Sequence, residues 1–139
     1  MSTTEHWFPG PLTEMPAGEC LSLMGSTSVG RVAFVDEDGP VVLPINYVLD
    51  GGTVLFCTSA ANTIGRHLDS ATVAFEVDEF DDFTQSGWSV LVRGVASFVG
   101  PEDLPRDERL RPFPWPDGVR TLVVRITPVS VSGRRLLPG

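Results

Sequence analysis

The strongest constraint on the fold is a pair of turn signals inside one long run of strand-forming residues, 30–59. Three apolar runs rich in valine, leucine and phenylalanine are separated by "DEDG" at 36–39 and "DGG" at 50–52. Acidic residues and glycine adopt the backbone angles that tight hairpin turns require. The segment therefore predicts three antiparallel strands that follow one another as a meander.

The second half of the chain predicts three further strands. "TVAFEVDEF" alternates, with Val73, Phe75 and Val77 on one face. "GWSVLVRGVASFVG" predicts a long strand that bends at Gly94, because a glycine inside a strand often marks a bulge or a barrel corner. "RTLVVRITPVSVSGRR" predicts the last strand.

Two short helices and one irregular segment complete the pattern. Helical spacing predicts a helix at about 16–24 that ends at Gly25. A second helix, capped by Ser59 or Asn62, would carry Arg66 near its middle and turn Leu68 inward. Residues 101–118 contain five prolines and predict mostly irregular structure, with one helical turn near 106–109.

These elements predict one mainly β domain over 1–139, with flexible tails at 1–14 and 137–139. About six hairpin-connected strands usually close into a barrel, because closure removes exposed sheet edges. The sequence shows no internal repeat and no composition break that would mark a second domain. We therefore expect a small antiparallel β-barrel with short helices.

Composition narrows the classes of partner and chemistry. The formal net charge is −8, which disfavours nucleic acid and anionic membrane as partners. All ten basic residues are arginine, so lysine Schiff-base chemistry is excluded, and arginine, hydroxyls or backbone N–H groups must hold any anion. The N-terminal residues contain no apolar signal-peptide core, and no run is long enough to span a bilayer. We expect a cytoplasmic protein in which Cys20 and Cys57 are buried thiols without a disulfide.

No motif for self-sufficient catalysis is present. The chain lacks GxGxxG, a P-loop, HExxH and paired CxxC, so neither a nucleotide loop nor a metal site is predicted. The histidines are His6 and His67, and no GxSxG accompanies them. The acidic residues in 75–83 are typical of a solvated strand end. Any difficult chemistry would belong to a cofactor.

The stretch "LPINY" at 43–47 is unusual for the middle strand of a meander. Pro44, Asn46 and Tyr47 interrupt an apolar run that would otherwise pack without difficulty. Proline cannot donate to a strand ladder, so it is found where no partner strand needs its N–H. The stretch is therefore either a sheet edge or the contact surface for something other than protein.

Several segments in this order and spacing resemble a known family: "GRVAFV", "LPINYVLDGGTVLFCTS", "IGRHL", "ATVAFEVD", "SGWSVLVRGVA", "PFPWPDG" and "VVRITPVSVSGRR". Together they are similar to the pyridoxamine 5′-phosphate oxidase-like family, and to its small flavin-binding members from actinobacteria. The resemblance covers about 15–136. It implies a homodimer of six-stranded Greek-key split barrels, with FMN in each of two interface clefts. In some members the deazaflavin F420 replaces FMN.

The resemblance also implies roles for particular residues. Those matching cofactor-binding positions are Arg31, Pro44, Ile45, Asn46, Thr58, Ser59, Arg66, Trp88 and Trp115. The segment 44–46 would lie beside the isoalloxazine ring, while the hydroxyls at 58–59 and Arg66 would hold the phosphate. Relatives usually have lysine at the position of Arg66, so a guanidinium fork would replace a point charge.

Structural roles remain open for three of these residues. Arg31 could be a surface arginine of the barrel, and Trp115 could pin a proline-rich loop. Trp88 could pack on the barrel end, or it could reach the cofactor of the partner subunit. Arg134 and Arg135, with "LLPG" after them, are typical of an exposed tail. No residue is nominated as a catalytic acid or base.

The function expected from the resemblance is an FMN-dependent oxidoreductase acting on a small molecule. An F420-dependent reductase of the same fold is one alternative, and a flavin-binding carrier or sensor without turnover is another. Haem binding ranks last, because His67 or His6 would have to serve as the axial ligand. Oxidation of pyridoxamine phosphate itself is not expected, because the chain end offers only Arg134 and Arg135 to grip a substrate phosphate.

Overall fold

The computed structural model describes residues 12–59, 66–112 and 121–137. These residues form seven strands, one α-helix and two short 3₁₀ turns. In chain order they are β1 (Leu12–Met15), α1 (Ala17–Met24), β2 (Val29–Asp36), β3 (Gly39–Asp50), β4 (Thr53–Ser59), β5 (Thr72–Asp81), β6 (Ser86–Val99), η1 (Pro101–Asp103), η2 (Glu108–Leu110) and β7 (Thr121–Leu136).

The strands form one antiparallel sheet in the order β1-β7-β4-β3-β2-β5-β6. Strand β6 also pairs with β7 from Gly87↔Leu136 to Val99↔Val123, and this ladder closes the sheet into a ring. The predicted antiparallel barrel is therefore confirmed. The meander of β2, β3 and β4 is confirmed as well, and its glycines at 39, 51 and 52 adopt positive φ angles of 118°, 56° and 83°.

The strand count exceeds the expected six because of β1. Its four residues pair with the end of β7, from Leu12↔Leu136 to Met15↔Gly133. This strand lies in a segment that we expected to belong to a flexible tail. The sequence "LTEM" is too short and too polar at its centre to carry a strand pattern of its own.

Alternation along the strands builds the core inside the ring. The side chains of Val32 and Phe34 on β2 and of Phe75 on β5 are buried, as the sequence predicts. Helix α1 contributes Cys20 and Met24 to the same core. Cys20 and Cys57 are free thiols; Cys20 is buried as expected, whereas Cys57 is only half-buried.

Tyr47 explains one of the three interruptions in "LPINY". Its ring is buried and packs edge-on against Phe75, with the centroids 4.9 Å apart. The phenol O–H donates to the carbonyl oxygen of Met24 at 2.5 Å, and Thr27 Oγ1 lies at the same distance. Tyr47 therefore ties β3 to the end of α1 while satisfying its own polar atom.

Gly94 marks a bend in β6, as predicted. The β6–β7 ladder shifts register between Arg93 and Gly94. A Cβ atom on Gly94 would overlap the backbone carbonyl of Thr127. The close approach of the two strands at the bulge therefore requires glycine.

The ends of the chain and its loops differ from expectation in two places. Arg134 and Arg135 belong to β7 rather than to an exposed tail, and Arg135 forms an ion pair with Glu19 of α1. The helical turn expected near 106–109 is η2, slightly later in the chain. Most of the helix expected after Ser59 lies outside the described residues, which resume at Arg66. Among the helices that are described, none is long and apolar enough to cross a membrane.

Replacing Gly94 with alanine should destabilise the fold by about 3 kcal/mol, because the new Cβ meets backbone that cannot move aside. Gly18→Ala is the matched control, since nothing lies within 4 Å of its Cβ position on α1. That substitution should be neutral or stabilising by up to about 1 kcal/mol. Urea unfolding of both variants measures the difference, and equal stabilities would contradict the close approach at the bulge.

Candidate functional site

The barrel opens between β3 and β4. Their ladder runs from Asp50↔Thr53 to Tyr47↔Phe56 and stops there, although both strands continue. Beyond that point β4 follows β7 through Ser59, and residues 39–46 of β3 pair with β2 alone among the described strands. We call this gap, between residues 39–46 of β3 and residues 57–59 of β4, the split.

The backbone of β3 presents to the split polar groups that no described strand pairs with. The N–H of Tyr47 donates to the carbonyl oxygen of Ser28 at 3.0 Å, on the β2 side. Hydrogen-bonding direction alternates along an antiparallel strand, so Leu43 and Ile45 also bond toward β2. The backbone groups of Val42, Pro44 and Asn46 therefore point into the split. Pro44 occupies a position where no ladder N–H is required, which answers the question that "LPINY" raises.

The side chains of the predicted ring-binding segment divide between two faces. Pro44 and Asn46 are exposed on the outer face of the barrel. Ile45 is half-buried and packs against the core. The structure thus brings Pro44 and Asn46 to the split and turns the Ile45 side chain inward.

Thr58 and Ser59 end β4 at the other side of the split. In the described part of the chain they are the two buried polar residues, 1% and 6% exposed. They lie opposite Leu122 and Thr121 of β7. Because successive residues of a strand point to opposite faces, the Thr58 side chain lies on the core face with Phe56 and the Ser59 side chain lies on the outer face.

Arg66 lies near the turn between β2 and β3. It is exposed, and the adjacent His67 places its Nε2 atom 3.2 Å from Glu37 Oε1, in the turn between β2 and β3. Because β4 runs antiparallel to β3, Ser59 also lies toward this turn. Arg66 therefore lies near the β2–β3 turn, and Ser59 lies beyond the end of the β3–β4 ladder in the direction of that turn.

Arg31 lies beside the split, and carboxylates hold its guanidinium group. Its register partner on β3 is Pro44, and its partner on β5 is Glu76. Arg31 Nη1 lies 2.9 Å from Glu76 Oε1 and 3.2 Å from Asp78 Oδ2. The structure therefore places Arg31 in an ion-pair cluster on the protein surface.

The same cluster perturbs Glu76. Burial raises the pKa of the Glu76 carboxyl to about 7, and the hydrogen bond and negative charge of Asp78 act in the same direction. The positive charge of Arg31 opposes this rise only in part. Glu76 therefore changes charge near neutral pH, although all the acidic residues of 75–83, Glu76 included, were expected to form a solvated strand end.

The structure does not bring Trp88 to the split of its own protomer. Trp88 is buried on β6, which is separated from β3 by β2 and β5. Three strand spacings correspond to about 14 Å along the sheet. Trp88 lines a separate depression of about 530 Å³, together with Glu79 and Arg135. Trp115 lies outside the described residues.

A second cavity, of about 460 Å³, lies on the outer face of β4 and β7. Its lining residues are Cys57, Leu104, Glu108, Arg111, Pro112, Thr121 and Val123. Burial raises the pKa of the Cys57 thiol to about 11, so this thiol is protonated and unreactive at neutral pH. Sequence reasoning missed this cavity, because residues 101–112 carry no periodic pattern that predicts where they pack.

No metal site accompanies these features in the described parts of the chain. Three or more His, Cys, Asp or Glu side chains never cluster there in an arrangement that could hold a metal ion. The chemical resources at the split are therefore backbone polar groups, hydroxyls and arginine.

Comparison with known proteins identifies the family. The family model described as pyridoxamine 5′-phosphate oxidase matches residues 16–135. This chain belongs to that family. The uncharacterized protein Rv0080 of Mycobacterium tuberculosis is 32% identical over 132 residues, which cover 91% of this chain and 86% of the relative.

Solved structures of related proteins share the barrel. An FAD-binding protein from Mycobacterium smegmatis is 35% identical, with a TM-score of 0.80 over 91% of this chain and all of the other. The conserved protein of unknown function DIP1874 from Corynebacterium diphtheriae is also 35% identical. Its TM-score is 0.76, and 91% of this chain and 99% of that chain are covered. The predicted membership of the pyridoxamine 5′-phosphate oxidase family is confirmed.

The raised pKa of Glu76 predicts how the stability of this family member depends on pH. The folded protein holds the Glu76 proton up to about pH 7, whereas the unfolded chain releases it near its ordinary value of 4.5. The protonated Glu76 side chain therefore contributes its full share of folding stability below about pH 4.5, and this share is lost as the pH rises through about 7. Because the side chain is 35% exposed, we expect a contribution on the order of 1 kcal/mol.

Glu76→Gln should remove this part of the pH dependence. We expect wild type to lose about 1 kcal/mol more unfolding free energy than the variant between about pH 5 and 8, measured by urea titration. Glu102→Gln, on the exposed turn η1, is the matched control and should behave as wild type does. An equal loss in wild type and Glu76→Gln would contradict the perturbed carboxyl.

Proposed function

We propose that this protein is a flavin-dependent oxidoreductase that binds the isoalloxazine ring of FMN along the open edge of β3. The observation that carries the proposal is the end of the β3–β4 ladder at Tyr47↔Phe56. It leaves backbone donors and acceptors of residues 42–46 facing a gap. Among the described strands these groups have no ladder partner on that side, so a polar ligand could pair with them as a strand would.

The groups at the open edge suit the flavin ring. The pyrimidine end of an isoalloxazine carries carbonyl oxygens and a ring N–H, which match the N–H and C=O groups of a strand edge. Val42 and Asn46 can offer both kinds of group, while Pro44 offers a carbonyl oxygen and an apolar ring. The edge of β3 could therefore bind the ring through its backbone N–H and C=O groups, without any charged side chain.

The other end of the split suits a phosphate. In this proposal Ser59 would supply a hydroxyl, and Arg66, which is exposed, would supply a guanidinium group. Charge-assisted hydrogen bonds from arginine to phosphate are among the stronger polar contacts in proteins. In the absence of lysine, Arg66 is the cation that we assign to this role.

The residues of this chain bind and orient the cofactor, and none of them is assigned a proton-transfer step. A bound flavin supplies transfer of a hydride or of single electrons to or from a small substrate. The open edge would fix the ring plane, and Arg66 would anchor the opposite end. The core side chains beneath the ring, including Ile45, would exclude water from its inner face.

FAD is a second candidate flavin. The relative from Mycobacterium smegmatis that shares 35% identity with this chain is an FAD-binding protein. FAD contains the whole of FMN, so the split could hold the FMN half of either molecule. F420 carries a deazaflavin ring and is tested alongside both.

We further propose that the protein acts as a homodimer through the outer face of β2 and β3, next to the split. Val29, Val35 and Val42 are 55%, 67% and 61% exposed there. Large exposed apolar side chains grouped on one sheet face are typical of an interaction surface. In such a dimer, Trp88 would serve the split of the partner, since it lies far from the split in its own protomer.

Arg66→Ala should weaken FMN binding by more than about tenfold, about 1.4 kcal/mol, through loss of the phosphate contact. The measurement is a titration of purified protein with FMN, followed by the visible absorption of the flavin. Arg106→Ala is the matched control and should bind FMN as wild type does. Unchanged affinity in Arg66→Ala would refute the phosphate assignment.

Three results of the spectral titration distinguish the function classes. A flavin spectrum that is bleached by NAD(P)H and restored by a small oxidant supports the oxidoreductase. Binding without any reduction would leave a carrier or sensor, and binding of F420 alone would change the cofactor class. Failure to bind FMN, FAD and F420 would overturn the proposed function.

Val42→Glu should convert the dimer to a monomer at micromolar concentration, because it places a charge in the apolar interface. Val129→Glu makes the same change at a site 79% exposed on β7 and should leave the dimer intact. Sedimentation velocity measures both. A wild-type monomer at that concentration would remove the interface model.

A further inference from the structure

We propose that the cavity on the outer face of β4 and β7 binds a small apolar amino acid as its zwitterion, with Arg111 holding the carboxylate and Glu108 holding the ammonium group. We call this space the β4–β7 cavity. The inference goes beyond the proposed function, because it uses none of the residues assigned to the flavin and needs no bound flavin. It is carried by one apolar recess that has one positive and one negative side chain in its lining.

The β4–β7 cavity has a floor of strand residues and a roof of irregular chain. On the floor, Cys57 lies opposite Val123 in the β4–β7 ladder. Leu104 and Pro112, from the segment that follows β6, line the other side. The Cys57 thiol donates a weak hydrogen bond to the carbonyl oxygen of Pro112 at 3.8 Å, which ties the roof to the floor.

The interior of the cavity suits an apolar group. Its volume of about 460 Å³ falls within the range of about 300–1,000 Å³ that is usual for small-molecule sites. Leu104, Pro112 and Val123 supply aliphatic surface. Because burial raises the pKa of the Cys57 thiol to about 11, this side chain adds no charge at neutral pH. The recess can therefore take up an aliphatic or aromatic side chain.

Both charged residues of the lining belong to the single 3₁₀ turn η2. Glu108 begins the turn and Arg111 ends it, with the Arg111 N–H donating to the carbonyl oxygen of Glu108 at 3.1 Å. Side chains three residues apart in a 3₁₀ turn lie on the same side. The turn therefore presents a cation and a carboxylate to the same recess.

Neither of these charges is neutralised by a neighbouring side chain. Arg111 Nε donates to the carbonyl oxygen of Pro105 at 2.6 Å, which orients the guanidinium group and leaves its other N–H groups for an acceptor. Within the described segments, neither Arg111 nor Glu108 belongs to an ion pair. By contrast, Arg109 Nη2 lies 2.8 Å from Asp107 Oδ2. A neighbouring cation and anion that do not pair complement a ligand that carries both charges.

An α-amino acid has the required distribution of groups. Its carboxylate and ammonium are attached to one carbon, and its side chain leaves that carbon in a third direction. The guanidinium fork of Arg111 can bind a carboxylate through two parallel hydrogen bonds. An ammonium group only donates, so the Glu108 carboxylate and the Thr121 hydroxyl can accept from it. The ligand's side chain would then enter the recess.

Apolar molecules with one charge or none are the competing occupants. An apolar carboxylate would use Arg111 alone, and an apolar amine would use Glu108 alone. L-Phenylalanine, phenylpropionate and phenylethylamine share a phenyl group and differ in these two charges. Comparing the three compounds therefore decides which occupant the cavity recognises.

The first experiment is isothermal titration calorimetry of wild type with the three compounds at neutral pH. We expect L-phenylalanine to bind at least about tenfold more tightly than either analogue, because each analogue lacks one charge-assisted contact. No measurable binding of L-phenylalanine up to about 10 mM would overturn the inference. An analogue that binds as tightly as L-phenylalanine would also overturn it.

The second experiment removes each charge in turn, at exposed positions where the fold does not depend on the side chain. Glu108→Gln should weaken L-phenylalanine binding by about tenfold without weakening that of phenylpropionate. Arg111→Gln should weaken L-phenylalanine by a similar factor without weakening phenylethylamine. Glu102→Gln and Arg109→Gln are the matched controls, because they remove the same charges from the same segment outside the cavity. Equal weakening in the controls would contradict the assignment, since net charge alone would then explain it.

The third experiment locates the site. Val123→Phe places a larger side chain on the floor of the cavity and should weaken L-phenylalanine binding by at least about tenfold. Val129→Phe makes the same change at an exposed position of β7 and should bind as wild type does. Unchanged binding in Val123→Phe would place the ligand elsewhere and overturn the inference.

Flavin titrations of the same proteins separate this inference from the proposed function. FMN affinity should stay within about twofold in Glu108→Gln and Arg111→Gln. A parallel loss of FMN and L-phenylalanine binding would overturn the separate site. Failure of wild type to bind any flavin would overturn the proposed function while the amino-acid site stands or falls on the calorimetry.

Discussion

The parting of β3 from β4 at Tyr47↔Phe56 is the constraint on which the candidate site depends. Tyr47 is held on both sides, since its phenol bonds to Met24 and its N–H bonds to Ser28. Strand β4 meanwhile stays with β7 through Ser59. Strand β3 stays paired with β2, and β4 stays paired with β7. The ring therefore remains closed through β6 and β7 while one gap opens between β3 and β4. The proposed flavin site lies where β4 turns away from β3.

Much of the fold could be predicted from the sequence because it follows from residue patterns within short segments of the chain. Alternation set the buried faces of β2 and β5, and acidic-glycine turns set the two hairpins of the meander. The bulge at Gly94 could be predicted because a glycine lies in the middle of a long strand. Strand β1 could not be predicted in this way, because its four residues are ordered by pairing with the far end of β7.

The candidate site was only partly predictable, for the same physical reason. Pro44 signalled an unusual edge from its missing N–H, but the end of the ladder is a matter of register between whole strands. The ion pairs of Arg31 with Glu76 and Asp78 join residues far apart in the chain. Family resemblance nominated Arg31 as a cofactor contact, and sequence alone gave no sign of the carboxylates beside it.

The open edge of β3 also bears on how the protein avoids aggregation. A long strand edge with free donors and acceptors invites pairing with strands of other chains, and exposed valines make that surface more adhesive. Proline in the middle of such an edge removes one donor and breaks any continuous ladder that an incoming strand could form. The residue that would leave room for the proposed ligand therefore also protects the open edge from edge-to-edge association.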